Sequence, residues 1–328
     1  MLAIQVAQWG APSVLVTSTA EVPTPGSGEV LVRVMAAGVN PVETYIRAGT
    51  YARKPSLPWT PGNDGAGIVE AVGPHTSGAL AVGARVWLSG TLSGSYAQFA
   101  LASASTVHAL PAAVSFDQGA CLGVAYRTAH RALFVRGRAR SGDFVLVHGA
   151  TGGVGVAAVQ LAARHGCVVI GSSSTARGRA AVLANGAAHA IAHGDVAALL
   201  EITGGQGAAL IVEMLGDANL GADCAMVAHS GTIAVVGNRG TATINARELM
   251  TREASIIGVM LARSSAEEAK ATLAALGAGL ADGTLRPVVG PVFPLARAAE
   301  AHTDVLEHRG GASGKVVIRP WSQEVAVE

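Results

Sequence analysis

The sequence predicts an α/β protein of two unlike halves, one β-rich and one built on a doubly wound sheet of six parallel strands. Three observations predict it. At 328 residues the chain exceeds the ~250 at which a single hydrophobic core usually stops growing. From residue 144 onward, short β-branched runs alternate with Ala-rich helical stretches at the spacing of a βα unit. Before residue 120, alternating strands and Gly/Pro turns dominate and helical stretches are few.

In the first part, EVLVRVMA (29–36) has the alternation of a strand. The following segment, GVNPVETYIRAGTY (38–51), sets Asn40 before Pro41, Glu43 close behind and Gly49 near the end, which makes a short capped helix. Six strands are expected over 144–148, 168–171, 190–193, 209–213, 232–237 and 255–259. Such apolar runs suit a parallel sheet whose two faces are covered by helices. The last, SIIGV, reads as an edge strand, where unpaired backbone groups invite pairing. Ser265 and Glu268 form a capping box opening an Ala-rich helix toward Leu280, and Asp282-Gly283 then turns the chain. The tail KVVIRP (315–320) is a strand with no sheet of its own nearby and is expected to return to the β-rich half. The expected division is therefore 1–121 with 260–328, against 122–259.

Charged residues make up 14% and hydrophobic ones 50%, with mean hydropathy +0.41, which excludes a disordered chain and makes a membrane span worth testing. The longest uncharged stretch, 86–116, is broken throughout by Ser, Thr, Gly, Gln and Pro, and falls short of the ~20 mainly apolar residues a span needs. No basic residue precedes Arg33 to form the n-region of a signal peptide, so a cytoplasmic protein is expected. Cys121, Cys167 and Cys224 are odd in number and far apart, which offers neither a disulfide framework nor a zinc set. Net charge +1 gives no general attraction to nucleic acid, and the run Arg127, Arg131, Arg136, Arg138 and Arg140 reads as a solvated face.

The most informative segment is FVLVHGATGGVGVAAVQLAA (144–163). A buried strand ends at His148, glycines follow at 149, 152, 153 and 155, and an apolar helix then runs to the Gly166 stop. Glycines let the backbone approach a pyrophosphate, and the helix N-terminus supplies free N–H groups, so the segment points to a dinucleotide. Where an NAD site usually places an acid on the ribose hydroxyls, residues 171–179 read GSSSTARGR, with no acid. Hydroxyls and an arginine there favour NADP(H), with at most one of Arg177 and Arg179 reaching a 2′-phosphate. In the first half, Tyr45 and Tyr51 are two of only four tyrosines. Taken alone, core packing explains that pair at least as well as a site does.

The chain resembles the zinc-free quinone oxidoreductases of the medium-chain dehydrogenase/reductase superfamily, the zeta-crystallin type. The resemblance runs end to end, through GVNPVETYIRAGTY (38–51), LPWTPGNDGAGIVEAVG (57–73), GARV (83–86), VLVHGATGGVGVAA (145–158), IVEMLGDANL (211–220), VVGNRGTATIN (235–245), SIIGV (255–259) and SGKVVI (313–318). It implies a GroES-like β-rich catalytic domain and a Rossmann-like domain for NADPH. It implies that Tyr45 lies at the nicotinamide and substrate, with Asn40 and Tyr51 lining the same pocket. It further implies that Thr151, Gly152, Gly153 and Val154 hold the pyrophosphate, that Ser174 and His193 lie around the adenosine phosphate, and that Asn219 follows the fourth strand. By the same resemblance, Val236, Gly237, Asn238 and Arg239 follow the fifth strand, and Val259, Met260 and Leu261 would close over the nicotinamide end. Two departures stand out, Ser174 in place of Gly and Trp59 in place of Tyr.

Zinc alcohol dehydrogenases take a ligand from a Gly-His-Glu that here reads Gly62-Asn63-Asp64, and no cysteine precedes Cys121, so no metal is expected. Without a Lewis acid, an electron-poor acceptor suits the site better than an alcohol. The resemblance thus implies zinc-independent reduction of a small-molecule quinone by NADPH. Two alternatives stay open: reduction of an α,β-unsaturated carbonyl, and a non-catalytic nucleotide- or RNA-binding role. Nucleic acid and membrane are not expected partners. The resemblance also implies that cofactor domains join edge to edge, giving a homodimer or homotetramer. In catalysis Tyr45 would donate a hydrogen bond to the reduced acceptor, and Asn40 would help if its capping role leaves a donor free.

Overall fold

A computed structural model describes residues 1–76, 81–307 and 313–321. Its strands are β1 (Leu2–Gln5), β2 (Val16–Thr19), β3 (Glu29–Gly38), β4 (Asp64–Val72), β5 (Arg85–Leu88), β6 (Phe99–Ser103), β7 (Val107–Ala109) and β8 (Phe144–Val147). They continue as β9 (Val168–Ser172), β10 (His189–Ile191), β11 (Ala208–Glu213), β12 (Val227–Val235), β13 (Ser255–Gly258), β14 (Val289–Pro294) and β15 (Lys315–Arg319). The described residues divide into two units, one of residues 1–76, 81–124, 287–307 and 314–321, the other of 125–286 and 313.

In the first unit, β14, β15, β3, β4, β5 and β7 hydrogen-bond in that order, and β6 pairs with β3 off this path. The expected return of the tail is observed, since β15 lies antiparallel to β3, with Ile318 opposite Ala37. Because β3 pairs with β4, β6 and β15, it is more deeply buried than an alternating strand: Leu31 is buried as well as Val30, Val32 and Val34. One core gathers Ile4, Val6, Val34, Tyr96, Ala301 and Ile318. Each such large side chain contributes about 1.5–3 kcal/mol relative to exposure.

The second unit holds all six expected parallel strands, in the order β10-β9-β8-β11-β12-β13. Every pairing is parallel, so all carboxyl ends lie at one edge, and the order reverses between β8 and β11, the switch point at which doubly wound sheets take ligands. Leu146, Ile170, Leu199, Ile211 and Ile233 fill its core. The fifth strand begins at Val227, five residues before its expected start, and carries a left-handed Ser230 (φ 58°) where the register with β11 shifts. As expected, β13 is an edge strand.

Two expectations are corrected. Residues 260–286, expected with the β-rich half, belong to the sheet unit. The helix Ala266–Ala281 is tied there by the Arg131–Glu268 ion pair, by Thr272 Oγ1 3.0 Å from His130 Nδ1, and by Asp282 at its end, 2.5 Å from Arg164. For the same reason the arginine run is not a uniform solvated face: Arg136, Arg138 and Arg140 are exposed, but Arg131 is buried on Glu268. Among the described residues no helix is long and apolar enough to cross a membrane.

Strand β15 carries Lys315 into the first unit, where Nζ lies 2.9 Å from Asp64 Oδ2 with both side chains buried. Removing one partner of a buried pair leaves an uncompensated charge, so Lys315→Met should cost about 3–5 kcal/mol in urea unfolding. Adding Asp64→Asn should recover part of that loss, whereas simple addition of two losses would show the pair to be uncoupled.

Candidate active site

In the first unit the helix Pro41–Arg47 presents Tyr45, the first of the expected tyrosines. Asn40 caps it in extended conformation (φ −117°, ψ 144°), and its N–H donates to Glu43 Oε2 at 2.8 Å. The Asn40 side chain faces inward. Its carbonyl accepts from Lys315 Nζ, and its amide donates to Glu43 Oε1 at 3.3 Å and Asp64 Oδ2 at 3.1 Å. Both amide hydrogens are thereby engaged, so the condition on which Asn40 was expected to help an acceptor, a donor left free, is not met.

Glu43 is fully enclosed and accepts also from Asn63 N–H (3.0 Å) and the Tyr96 hydroxyl (2.9 Å). Burial, and then the Asp64 charge, push its carboxyl up, while the Asn40 and Asn63 N–H groups and Lys315 pull it back. Tyr96 in turn lies 3.1 Å from His302 Nε2, and burial with the Arg47 charge pushes that imidazole down to about 3. Beneath the helix there is thus a fixed polar floor. Above it Tyr45 is half-buried, and among the described residues its hydroxyl makes no hydrogen bond. Tyr51, four residues past the helix, is also half-buried. Asn63 stands exposed at the position where a zinc site would need His, and burial pushes the Cys121 thiol up to about 12, far from a thiolate ligand.

In the second unit the turn after β8 brings Gly149 (φ 54°) under the helix Gly153–Arg164. A Cβ on Gly155 would sit 2.1 Å from the Gly149 carbonyl oxygen, so only glycine allows the helix to start this close to the strand. Gly152 caps the helix with no side chain on its end, and the first N–H groups lack intrahelical partners. Thr151, Gly152, Gly153 and Val154 therefore form a backbone cradle that fits a pyrophosphate. After β9, Ser174 is exposed, and Arg179 Nη1 donates to the carbonyls of Ser173 (3.1 Å) and Ser174 (3.4 Å). Arg177, on the first turn of the helix Ala176–Ala184, is exposed.

The remaining expected residues follow the carboxyl ends of the other strands. His193 is exposed beyond β10. Asn219 is held by Glu213 Oε1 at 3.1 Å beyond β11. Val236 and Gly237 turn over the Glu213 carbonyl, Asn238 and Arg239 are exposed beyond them, and the Arg239 N–H is held by Asp217 at 2.9 Å. Val259 is buried, Leu261 half-buried and Met260 exposed beyond β13. All of these fall on the one edge. The buried polar partners below it, His148, Ser172, Glu213 and Asp223, were not foreseen, although His148 ending an apolar strand was a visible signal.

Two family models match the chain, "Alcohol dehydrogenase GroES-like domain" over residues 26–112 and "Zinc-binding dehydrogenase" over residues 153–277. Human quinone oxidoreductase is 47% identical over 322 residues, covering 97% of each chain. The chain belongs to the quinone oxidoreductase family of the medium-chain dehydrogenase/reductase superfamily. Its two units are the GroES-like and Rossmann-like domains of that superfamily. The Escherichia coli quinone oxidoreductase complexed with NADPH superposes with TM-score 0.87 at 28% identity, over 98% of this chain and 100% of that one. An NAD-dependent alcohol dehydrogenase gives TM-score 0.89 at 29% identity, over 97% and 99%. Since one fold serves both cofactors, the choice between them in a quinone oxidoreductase rests on the residues after β9.

The glycine contacts give a paired test. Gly155→Ala should cost about 1–3 kcal/mol in a thermal melt, because the atoms met are backbone. Gly152→Ala, whose Cβ would meet nothing nearer than 3.5 Å, should melt close to the unmutated chain.

Proposed function

We propose that the chain transfers reducing equivalents from NADPH to a quinone without zinc, in the cytoplasm, as a homodimer or homotetramer. The observation that carries this reading is the acid-free end of β9, where Ser174 and Arg177 are exposed beside a glycine cradle, in a chain so close to the human quinone oxidoreductase. Bound NADPH supplies the reducing equivalents at nicotinamide C4. The chain's own residues bind, orient and donate hydrogen bonds. Thr151, Gly152, Gly153 and Val154 would hold the pyrophosphate on the helix N-terminus. Arg177 is the better-placed arginine for a 2′-phosphate, because Arg179 is already spent on carbonyls. The open edge of β13 supports association through sheet pairing.

Tyr45 is assigned the hydrogen bond to the quinone oxygen. Charge grows on that oxygen during reduction, and a donor already aimed there lowers the barrier without reorganisation. Its hydroxyl has no hydrogen bond among the described residues, while Glu43 and Asn40 on the same turn are occupied in the floor that fixes the helix. Donor-set chemistry supports the zinc-free reading, since Asn63 and the protonated Cys121 offer no ligand pair.

The test is consumption of NADPH and NADH across a panel of quinones and enones. Turnover of quinones with a preference for NADPH is expected, and turnover of enones alone would overturn the reading. Tyr45→Phe should keep NADPH affinity and slow quinone reduction about 10- to 100-fold, with Tyr51→Phe milder. An unmutated rate in Tyr45→Phe would reduce that tyrosine to a wall of the pocket.

A further inference from the structure

Below the carboxyl edge of the six-stranded sheet runs a chain of hydrogen bonds of which the cofactor reading uses only the outer end, His193. His148, buried at the end of β8, has Nε2 2.8 Å from Asp223 Oδ1 and 3.6 Å from Glu213 Oε2. Its Nδ1 lies 3.0 Å from Ser172 Oγ. The same hydroxyl, without exposed surface, lies 2.8 Å from Nδ1 of His193, whose ring is exposed. The two ring centroids are 6.5 Å apart. The inner end is rich in acceptors, for Glu213 Oε2 and Asp223 Oδ2 are buried without hydrogen-bond partners among the described residues. The 2.8 Å His148–Asp223 separation is that of a hydrogen bond, shorter than the ~3.3 Å between two ligand atoms on a tetrahedral metal, so a proton accounts for the contact.

A serine hydroxyl between two imidazole nitrogens has one proton to give, so it points one way at a time. If it donates to His193, it accepts from His148 Nδ1–H. With Nε2–H donated to Asp223, His148 is then an imidazolium and His193 is neutral. If it donates to His148, that ring is neutral and His193 donates from Nδ1–H. The surroundings favour the first arrangement at rest. Burial opposes charge on His148, but the Asp223 hydrogen bond and the charges of Asp223 on the helix Gly216–Met226 and Glu213 on β11 outweigh it and raise its pKa. Burial and the His148 charge lower that of His193.

We propose that Ser172 is a proton relay through which a 2′-phosphate draws the buried positive charge from His148 to His193, making the edge selective for the phosphorylated dinucleotide. The proposal rests on the NADPH reading, in which the ends of β9 and β10 face the adenosine ribose. The Nδ1–H bond of His148 breaks as Ser172 Oγ takes that proton, and the Ser172 O–H bond breaks as His193 Nδ1 takes the other. One proton leaves His148 and one reaches His193. Net charge is unchanged, and nothing is oxidised or reduced. The neutral His148 still donates Nε2–H to Asp223, so the buried carboxylate keeps its partner. The new imidazolium gives the phosphate a charge-assisted bond. A ribose hydroxyl carries no charge to draw the proton, so NAD⁺ leaves the relay at rest.

The test is the imidazole ¹⁵N spectrum of the full chain, with His148 and His193 assigned through His148→Gln and His193→Gln and the chain titrated with NADP⁺ and NAD⁺. Doubly protonated His148 and a neutral His193 are expected without nucleotide. NADP⁺ should exchange the two charge states, and NAD⁺ should leave them alone. Ser172→Ala should hold the charge on His148 and weaken NADP⁺ binding about 10-fold with NAD⁺ binding unchanged, and Ser172→Thr should restore both. Saturable NADP⁺ binding with His148 still charged overturns the relay alone. Absence of saturable NADP⁺ binding alongside normal NAD⁺ binding overturns the cofactor reading and the relay with it.

Discussion

Asp64 has no exposed surface, and three separate parts of the chain place donors on its two oxygens: Asn40 and Lys315 on Oδ2 and the Val124 N–H on Oδ1. A carboxylate deprived of water is stable only with such partners. Holding Asn40 there fixes where the helix Pro41–Arg47 begins, and Glu43, bonded to Tyr96 and to two backbone N–H groups, fixes how it is rotated. The accessible position of Tyr45 follows from those contacts. A side chain that offers its hydroxyl to an acceptor must itself be uncommitted, and its neighbours must be committed on its behalf.

The second unit solves a different problem by the same means. A parallel sheet collects the ends of six strands on one edge whatever their sequences, but the loops there need fixed positions to recognise one ligand. Gly155 sets the first loop by contact with the Gly149 carbonyl. Glu213 sets two others, through its side chain to Leu215 N–H and Asn219 and through its carbonyl to Val236 N–H. The buried His148 lies between the first of these loops and the serine that ends β9. Apolar packing makes the sheet, and buried polar contacts make its edge specific.

The six parallel strands were legible because each is a short β-branched run followed by a helical one, and the glycine turn was legible because steric need leaves no other residue type at Gly155. The edge position of β13 and the return of β15 also followed from pattern. What the sequence hid are contacts between distant residues. Asn40 reads locally as a cap, yet two of its three side-chain partners lie 24 and 275 residues away. Lys315 reads as the polar start of a strand, and nothing nearby announces a buried carboxylate. Arg131 looked solvated because Glu268 is 137 residues away. The helix Ala266–Ala281 was misplaced for the same reason, its capping box being visible and its packing partners not.

Every candidate role here depends on one claim, that this chain carries reducing equivalents from NADPH to a quinone. Rapid mixing of the NADPH-loaded chain with a quinone, following loss of the reduced nicotinamide, tests it most directly. The account predicts a decay that speeds and then saturates as quinone is raised. Decay no faster than that of NADPH and quinone mixed without the chain would contradict it.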